Sequence, residues 1–91
     1  MTPESPEHRI KRLAMRSMRR GIKEMDLILQ AFAGVALGGM DDASLALYDQ
    51  LLEENDHDLY SWINGQVPAP EQYAGLIGQI AATAHGVARP G

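Results

Sequence analysis

The sequence predicts an all-α protein, a compact five-helix bundle made by a single domain. Apolar residues recur at three- and four-residue spacing along most of the chain, the period of helices that bury one face. Glycines, prolines and short polar residues punctuate these runs where helices start and stop. No stretch alternates as a half-buried strand must: 34–37 and 66–69 are too glycine-rich or too short, and Asn64-Gly65 lacks alternating flanks. A length of 91 residues suits one core and is too short for two independent ones.

From His8 onward, Ile10, Leu13, Ala14, Ser17 and Met18 share one face of a first helix, while Arg9, Arg12, Arg16 and Arg19 lie on another. Gly21 reads as its stop, ending the helix near Arg20, because glycine takes the left-handed conformation without a Cβ penalty. A second helix follows at once, with Ile22, Met25, Ile28, Leu29 and Phe32 on a stripe that Leu27 and Ala31 widen. So short a connection favours an antiparallel or sharply angled pair. Residues 34–39 are too glycine-rich to continue the helix and read as a loop.

Asp41 is the expected cap of a third helix, with Met40 and Leu45 placed for a hydrophobic staple and Leu45, Leu47, Tyr48, Leu51 and Leu52 facing inward. Asp56 suits the cap of a short fourth helix carrying Leu59, Tyr60, Trp62 and Ile63, closed by Asn64 and Gly65. Tyr60 and Trp62 are expected in the core, where aromatics at helical spacing usually pack. Pro70 opens a fifth helix, since its missing N–H is unpaired there anyway. Tyr73, Leu76, Ile77, Ile80, Ala81 and Ala84 form its stripe, and Gly86 stops it. The expected organisation is a flexible segment over 1–7, a helical domain over 8–86 and a flexible tail over 87–91.

A hydrophobic fraction of 45% with 22% charged residues is ordinary for a folded soluble domain. The absence of cysteine excludes disulfides, thiolate nucleophiles and cysteine zinc sites. With no apolar leader before the domain and no window near the roughly 18 apolar residues that span a bilayer, the expected setting is a reducing cytoplasm, without stable membrane insertion.

The net charge of −4 hides a division: residues 1–24 hold seven of the eight basic residues against three acids, whereas 25–88 hold nine acids and no Lys or Arg. Such asymmetry can orient a partner during encounter, or can be a solvated face complementing an acidic body. Nucleic acid is not an expected partner, because the acidic body opposes a polyanion. His8, His57 and His85 have no metal-ligand spacing, and the run 55–58 lacks the glycine and distant glutamate of a calcium loop. Ser44 and Ser61 have no nucleophile-elbow context, and no phosphate-cradling loop is present. No metal, no cofactor of its own and no catalytic residue is expected; the chain does not read as an enzyme acting alone.

What remains is the junction Arg19-Arg20-Gly21-Ile22-Lys23-Glu24, where charge gathers at a helix corner. On its residues alone it is a glycine stop beside an exposed Arg20–Glu24 pair one turn apart, worth about 0.3–0.5 kcal/mol.

The stretch RRGIKEMDLIL resembles the RGxxE motif of the SdhE family of FAD assembly factors, through Arg20, Gly21 and Glu24 followed by Met25 and Asp26. A second block, LLEENDHDLYSWING, is similar to the family's leucine pair, glutamate, acidic turn and tryptophan, through Leu51, Leu52, Glu53, Asp56, Asp58, Leu59, Tyr60 and Trp62. His57 departs from the proline that many relatives carry. The resemblance implies a bacterial, cytoplasmic five-helix domain that binds the flavoprotein subunit of succinate dehydrogenase, and that of fumarate reductase in some cases. It would promote covalent bonding of the flavin 8α-methyl group to a histidine of that partner. The factor would supply no nucleophile and would act on FAD held by the partner. Arg20, Gly21 and Glu24 would be the contact residues, with Arg16, Arg19 and Asp26 at the rim. An antitoxin-like or other protein-binding module, and an independent FAD carrier, are the alternatives.

Overall fold

The computed structural model describes residues 4–18 and 20–88, with side chains to Ala84. Arg19 and the extremes of the expected flexible segments, 1–3 and 89–91, lie outside the described residues. Five α-helices follow one another: α1 (Pro6–Arg16), α2 (Lys23–Ala36), α3 (Asp42–Leu51), α4 (Asp56–Ile63) and α5 (Glu71–Ala88), with a 3₁₀ turn at Leu37–Gly39. The described residues contain no strand, and the all-α bundle expected from the sequence is the fold.

The long central α2 packs chiefly against α5, and α4 against α5, while α1 lies across α2 and the 3₁₀ turn. The core is the sum of the inward stripes: Leu13 from α1, Met25, Leu29, Phe32 and Ala33 from α2, Leu37, then Leu45, Tyr48, Leu51 and Leu52, Leu59 and Ile63, and Tyr73, Leu76, Ile77 and Ile80. Phe32 and Tyr48 meet across it in a tilted arrangement, with ring centroids 5.5 Å apart and their planes at 42°.

Several boundaries differ from the periodicity. α1 begins at Pro6, because Ser5 accepts the His8 N–H at 3.2 Å and Pro6 fills the first helical position. It ends at Arg16, well before Gly21. Ser17 turns inward as the C-cap, and its hydroxyl donates to the Leu13 carbonyl at 2.8 Å. α2 runs through Gly34 to Ala36, so the expected 34–39 loop shrinks to the 3₁₀ turn. Burial of Ala33 and Leu37 on either side outweighs the roughly 1 kcal/mol that an interior glycine costs. α5 begins at Glu71, one position after Pro70, and passes Gly86 to reach Ala88.

The caps expected at Asp41 and Gly65 are present. Asp41 accepts the Ser44 N–H at 2.8 Å, and that bond holds its carboxyl below the usual range. Gly65 follows α4 with φ of 81°, a conformation that favours glycine. Met18 and Leu27, assigned to inward stripes by periodicity, are 44% and 54% exposed. Tyr60 also faces solvent rather than the core, and Trp62 is half-buried, stacked on Tyr73 at 6.0 Å. α4 has too few turns to bury more than one stripe, and Leu59 and Ile63 occupy it.

Candidate functional site

The arginines of α1 do not form a free basic face. Arg9 approaches Asp42 at 4.0 Å, Arg12 is 2.8 Å from Glu4 and 3.2 Å from Asp49, and Arg16 pairs with Asp49 and, at 2.7 Å, with Glu53. The three α1 arginines are therefore paired with acids of α3 and of the residues just beyond it, so that part of the charge division along the sequence becomes an internal ladder. The Glu4 hydrogen bond, then those of Asp49, hold Arg12 firmly in its charged form, and the same bond lowers the Glu4 carboxyl. A shallow groove of about 420 Å³ on the outer side of α1 is lined by His8, Lys11, Arg12, Met15 and Arg16.

The RGxxE corner lies where α1 ends, α2 begins and the α3–α4 junction passes beneath. The Arg20 side chain turns away from Glu24 and inward, leaving 13% of its surface exposed. Its Nε donates to Asp56 Oδ1 at 2.8 Å and its Nη1 to the Leu52 carbonyl at 3.1 Å, with longer contacts of 3.4 Å to the carbonyls of Arg16 and Glu54. Arg16 ends α1 and Leu52 caps the end of α3. One guanidinium therefore satisfies carbonyls that two helix ends leave unpaired, and its positive charge sits at their negative poles.

Asp56 is not the cap of α4, as the sequence suggested. Asn55 caps it, accepting the His57 N–H at 2.8 Å, and Asp56 occupies the first helical position. That one-residue shift frees the Asp56 carboxylate. While Oδ1 takes Arg20, Oδ2 accepts the Gly21 backbone N–H at 2.6 Å. A Cβ on Gly21 would lie 3.1 Å from the same Oδ2, so the glycine permits the carboxylate to approach the backbone; it does not serve as a left-handed helix stop.

The remaining expected site residues are spread around this corner. Glu24 is exposed in the first turn of α2 and makes no hydrogen bond or ion pair among the described residues. Asp26, half-buried one position beyond Met25, accepts from Gln30 Nε2 at 3.2 Å. Arg16 belongs to the ladder, and Arg19 lies outside the described residues. Met15 and Met18 are exposed at the end of α1. The expected Arg20–Glu24 pair is therefore replaced by Arg20–Asp56. Asp56 and Asp49, the acceptors that organise the basic residues, had no role at the corner in the sequence; the carboxylate-rich run at 55–58 was the one signal, and it reads equally well as capping.

Among the described residues no three His, Asp or Glu side chains converge as a metal site, and no helix is long and apolar enough to cross a membrane.

Residues 11–84 match the family described as flavinator of succinate dehydrogenase. Among its relatives, a protein of Meyerozyma guilliermondii is 40% identical over 75 residues, covering 79% of this chain and 56% of the relative. One from Drosophila grimshawi is 42% identical over 67 residues, 71% of this chain and 46% of the relative, and one from Aspergillus flavus is 43% identical over 63 residues, 69% and 22% respectively. All three are named succinate dehydrogenase assembly factor 2, mitochondrial. The chain thus spans from about a fifth to just over half the length of these relatives. Their mitochondrial names overturn the expectation of a bacterial cytoplasmic protein. With the match running from α1 well into α5 and taking in the whole corner, the chain belongs to the family of flavinators of succinate dehydrogenase.

Proposed function

We propose that this chain binds the flavoprotein subunit of succinate dehydrogenase before that subunit joins its complex and promotes covalent attachment of FAD to it. Membership of the flavinator family supports the reading, as do the names of the relatives. The structural observation that carries it is the corner itself: a backbone turn held from beneath by Arg20 and Asp56, with Gly21, Lys23 and Glu24 exposed on its outer side.

A turn already fixed before binding loses little conformational freedom when a partner docks, which favours affinity and a single orientation. Gly21 has no side chain of its own over the exposed turn, and Glu24, without a hydrogen bond or ion pair among the described residues, offers a carboxylate for a charge-assisted contact. Arg20, with most of its donors committed inside, contributes chiefly through the shape it gives the turn. Arg16, Arg19 and Asp26 would flank the contact. The factor works by positioning: it favours the partner conformation in which the histidine and the flavin 8α-methyl group meet, and the chemistry belongs to the partner and its FAD.

The test is reconstitution. Purified apo-flavoprotein subunit is incubated with FAD, with and without the factor, and covalent flavin is read by its fluorescence after denaturing electrophoresis. Faster and more complete flavinylation with the factor is expected, and equal rates would refute the proposal. The same assay with the flavoprotein of fumarate reductase decides whether the surface serves that partner too.

A further inference from the structure

We propose that Asp56, on the other side of the molecule's sequence from the motif, is its positioning residue, holding Arg20 and Gly21 so that the outer face of the corner is presented in one conformation. The inference rests on the proposed function and adds a residue to it. Beyond the buried Ser17, the connection between α1 and α2 has, in its described residues, few restraints of its own. It contains a glycine, and Ile22 precedes α2 with no side-chain cap. Left to itself, such a turn samples several conformations.

Asp56 removes that freedom through both oxygens. Oδ1 takes the Arg20 Nε at 2.8 Å and Oδ2 the Gly21 N–H at 2.6 Å, while the Asp56 side chain is 16% exposed and so sheltered from competing water. Asp56 is itself immobilised, since it belongs to the first turn of α4, whose buried Leu59 and Ile63 anchor that helix in the core. The carboxylate therefore transfers the rigidity of the core to a surface turn. Its near-neighbour acids do not share this role: Asp58 is exposed, and Glu54 accepts from the Tyr73 hydroxyl at 3.0 Å. The same geometry says why residue 21 has no Cβ. A methyl group there, 3.1 Å from Oδ2, would push away the acceptor that fixes the turn, so substitutions at 21 and 56 act on one device.

The experiment compares wild type, Asp56→Asn, Gly21→Ala and the double variant as full chains, at a temperature where melts show each to be folded. Asparagine keeps the shape but presents an amide NH₂ to one of the two donors. Expected for Asp56→Asn are faster hydrogen exchange at the Gly21 amide and roughly tenfold more factor needed for half-maximal flavinylation. The rate at saturating factor should stay unchanged. The double variant should be no worse than the poorer single variant. Should Asp56→Asn melt below the assay temperature, Asp56→Glu, which keeps both acceptors but sets them one methylene further out, takes its place with the same expected split. Wild-type half-saturation in a folded variant whose Gly21 amide has been freed would overturn the inference. So would loss of fold by both substitutions, which would make Asp56 purely structural. If the wild-type factor fails to stimulate flavinylation, it is the proposed function that falls, and the Gly21 exchange data still report on the clamp.

Discussion

Ser17 and Tyr48 share a buried hydrogen bond of 2.6 Å that ties the end of α1 to the middle of α3. Its direction follows from the bonds around it. The Ser17 hydroxyl donates its single proton to the Leu13 carbonyl, so the Tyr48 hydroxyl must be the donor to Ser17 Oγ. Among the described residues Ser17 is the one buried polar side chain besides the tyrosines, and it is fully enclosed.

Replacing Ser17 with Ala should leave the Tyr48 hydroxyl buried without an acceptor, at a cost of about 1–3 kcal/mol. Tyr48→Phe should cost less, because Ser17 still donates to Leu13. The double variant should be more stable than the sum of the two losses implies. Denaturant melts of the four proteins measure the coupling, and strict additivity would contradict the bond.

Arg20→Ala and Glu24→Ala should separate structure from docking. Arg20 leaves Asp56 and a helix-end carbonyl uncompensated in a sheltered site, so its removal should destabilise the fold by roughly 2–3 kcal/mol. Glu24 is exposed and makes no hydrogen bond or ion pair among the described residues, so Glu24→Ala should stay within about 0.5 kcal/mol of wild type. Loss of flavinylation by Glu24→Ala with a native melt would support the outer face as the contact, and full activity would remove Glu24 from it.

The ladder of α1 arginines and α3 acids should make stability sensitive to salt. Raising sodium chloride towards about 0.5 M should lower the melting temperature, because exposed pairs are screened within a few ångströms. Asp49→Ala, which removes the acceptor shared by Arg12 and Arg16, should cost about 1 kcal/mol and should flatten the salt dependence. An unchanged slope in that variant would show that the ladder contributes nothing.

High pH should unfold the protein through two tyrosines. Burial raises Tyr48 against the opposing effect of its Ser17 bond, and burial followed by the nearby Glu54 raises Tyr73. Both folded values lie above the unfolded one of about 10, so their contribution is complete below that pH and is lost as pH climbs through the raised values. Melting temperature should therefore fall as pH rises above about 10. A variant with phenylalanine at both positions should show a shallower fall, after allowance for its lower starting stability.

Free FAD should not bind tightly to the isolated factor, which is expected to act on flavin held by its partner. Fluorescence titration should reveal no sub-micromolar site. Tight binding would favour a flavin carrier over a positioning factor.

Five helices, most of their inward stripes and the caps at Asp41 and Gly65 were legible in the sequence because each depends on residues a few positions apart, whose periodicity and backbone preferences are local. The RGxxE corner was legible as a motif for the same reason. Its wiring was not. Arg20 and Glu24, one turn apart, looked like partners, yet Arg20 bonds Asp56 36 positions away, Gly21 bonds it from 35 away, and Ser17 meets Tyr48 across 31. Those choices were made by tertiary structure. Packing brings the ends of α1 and α3 and the start of α4 together, and the unpaired carbonyls and amides gathered there need charged partners that a sheltered site makes stronger than any exposed pair. Local sequence thus determined which segments are helices and most of the faces they bury, whereas the meeting of three helix ends decided which ions pair around the corner.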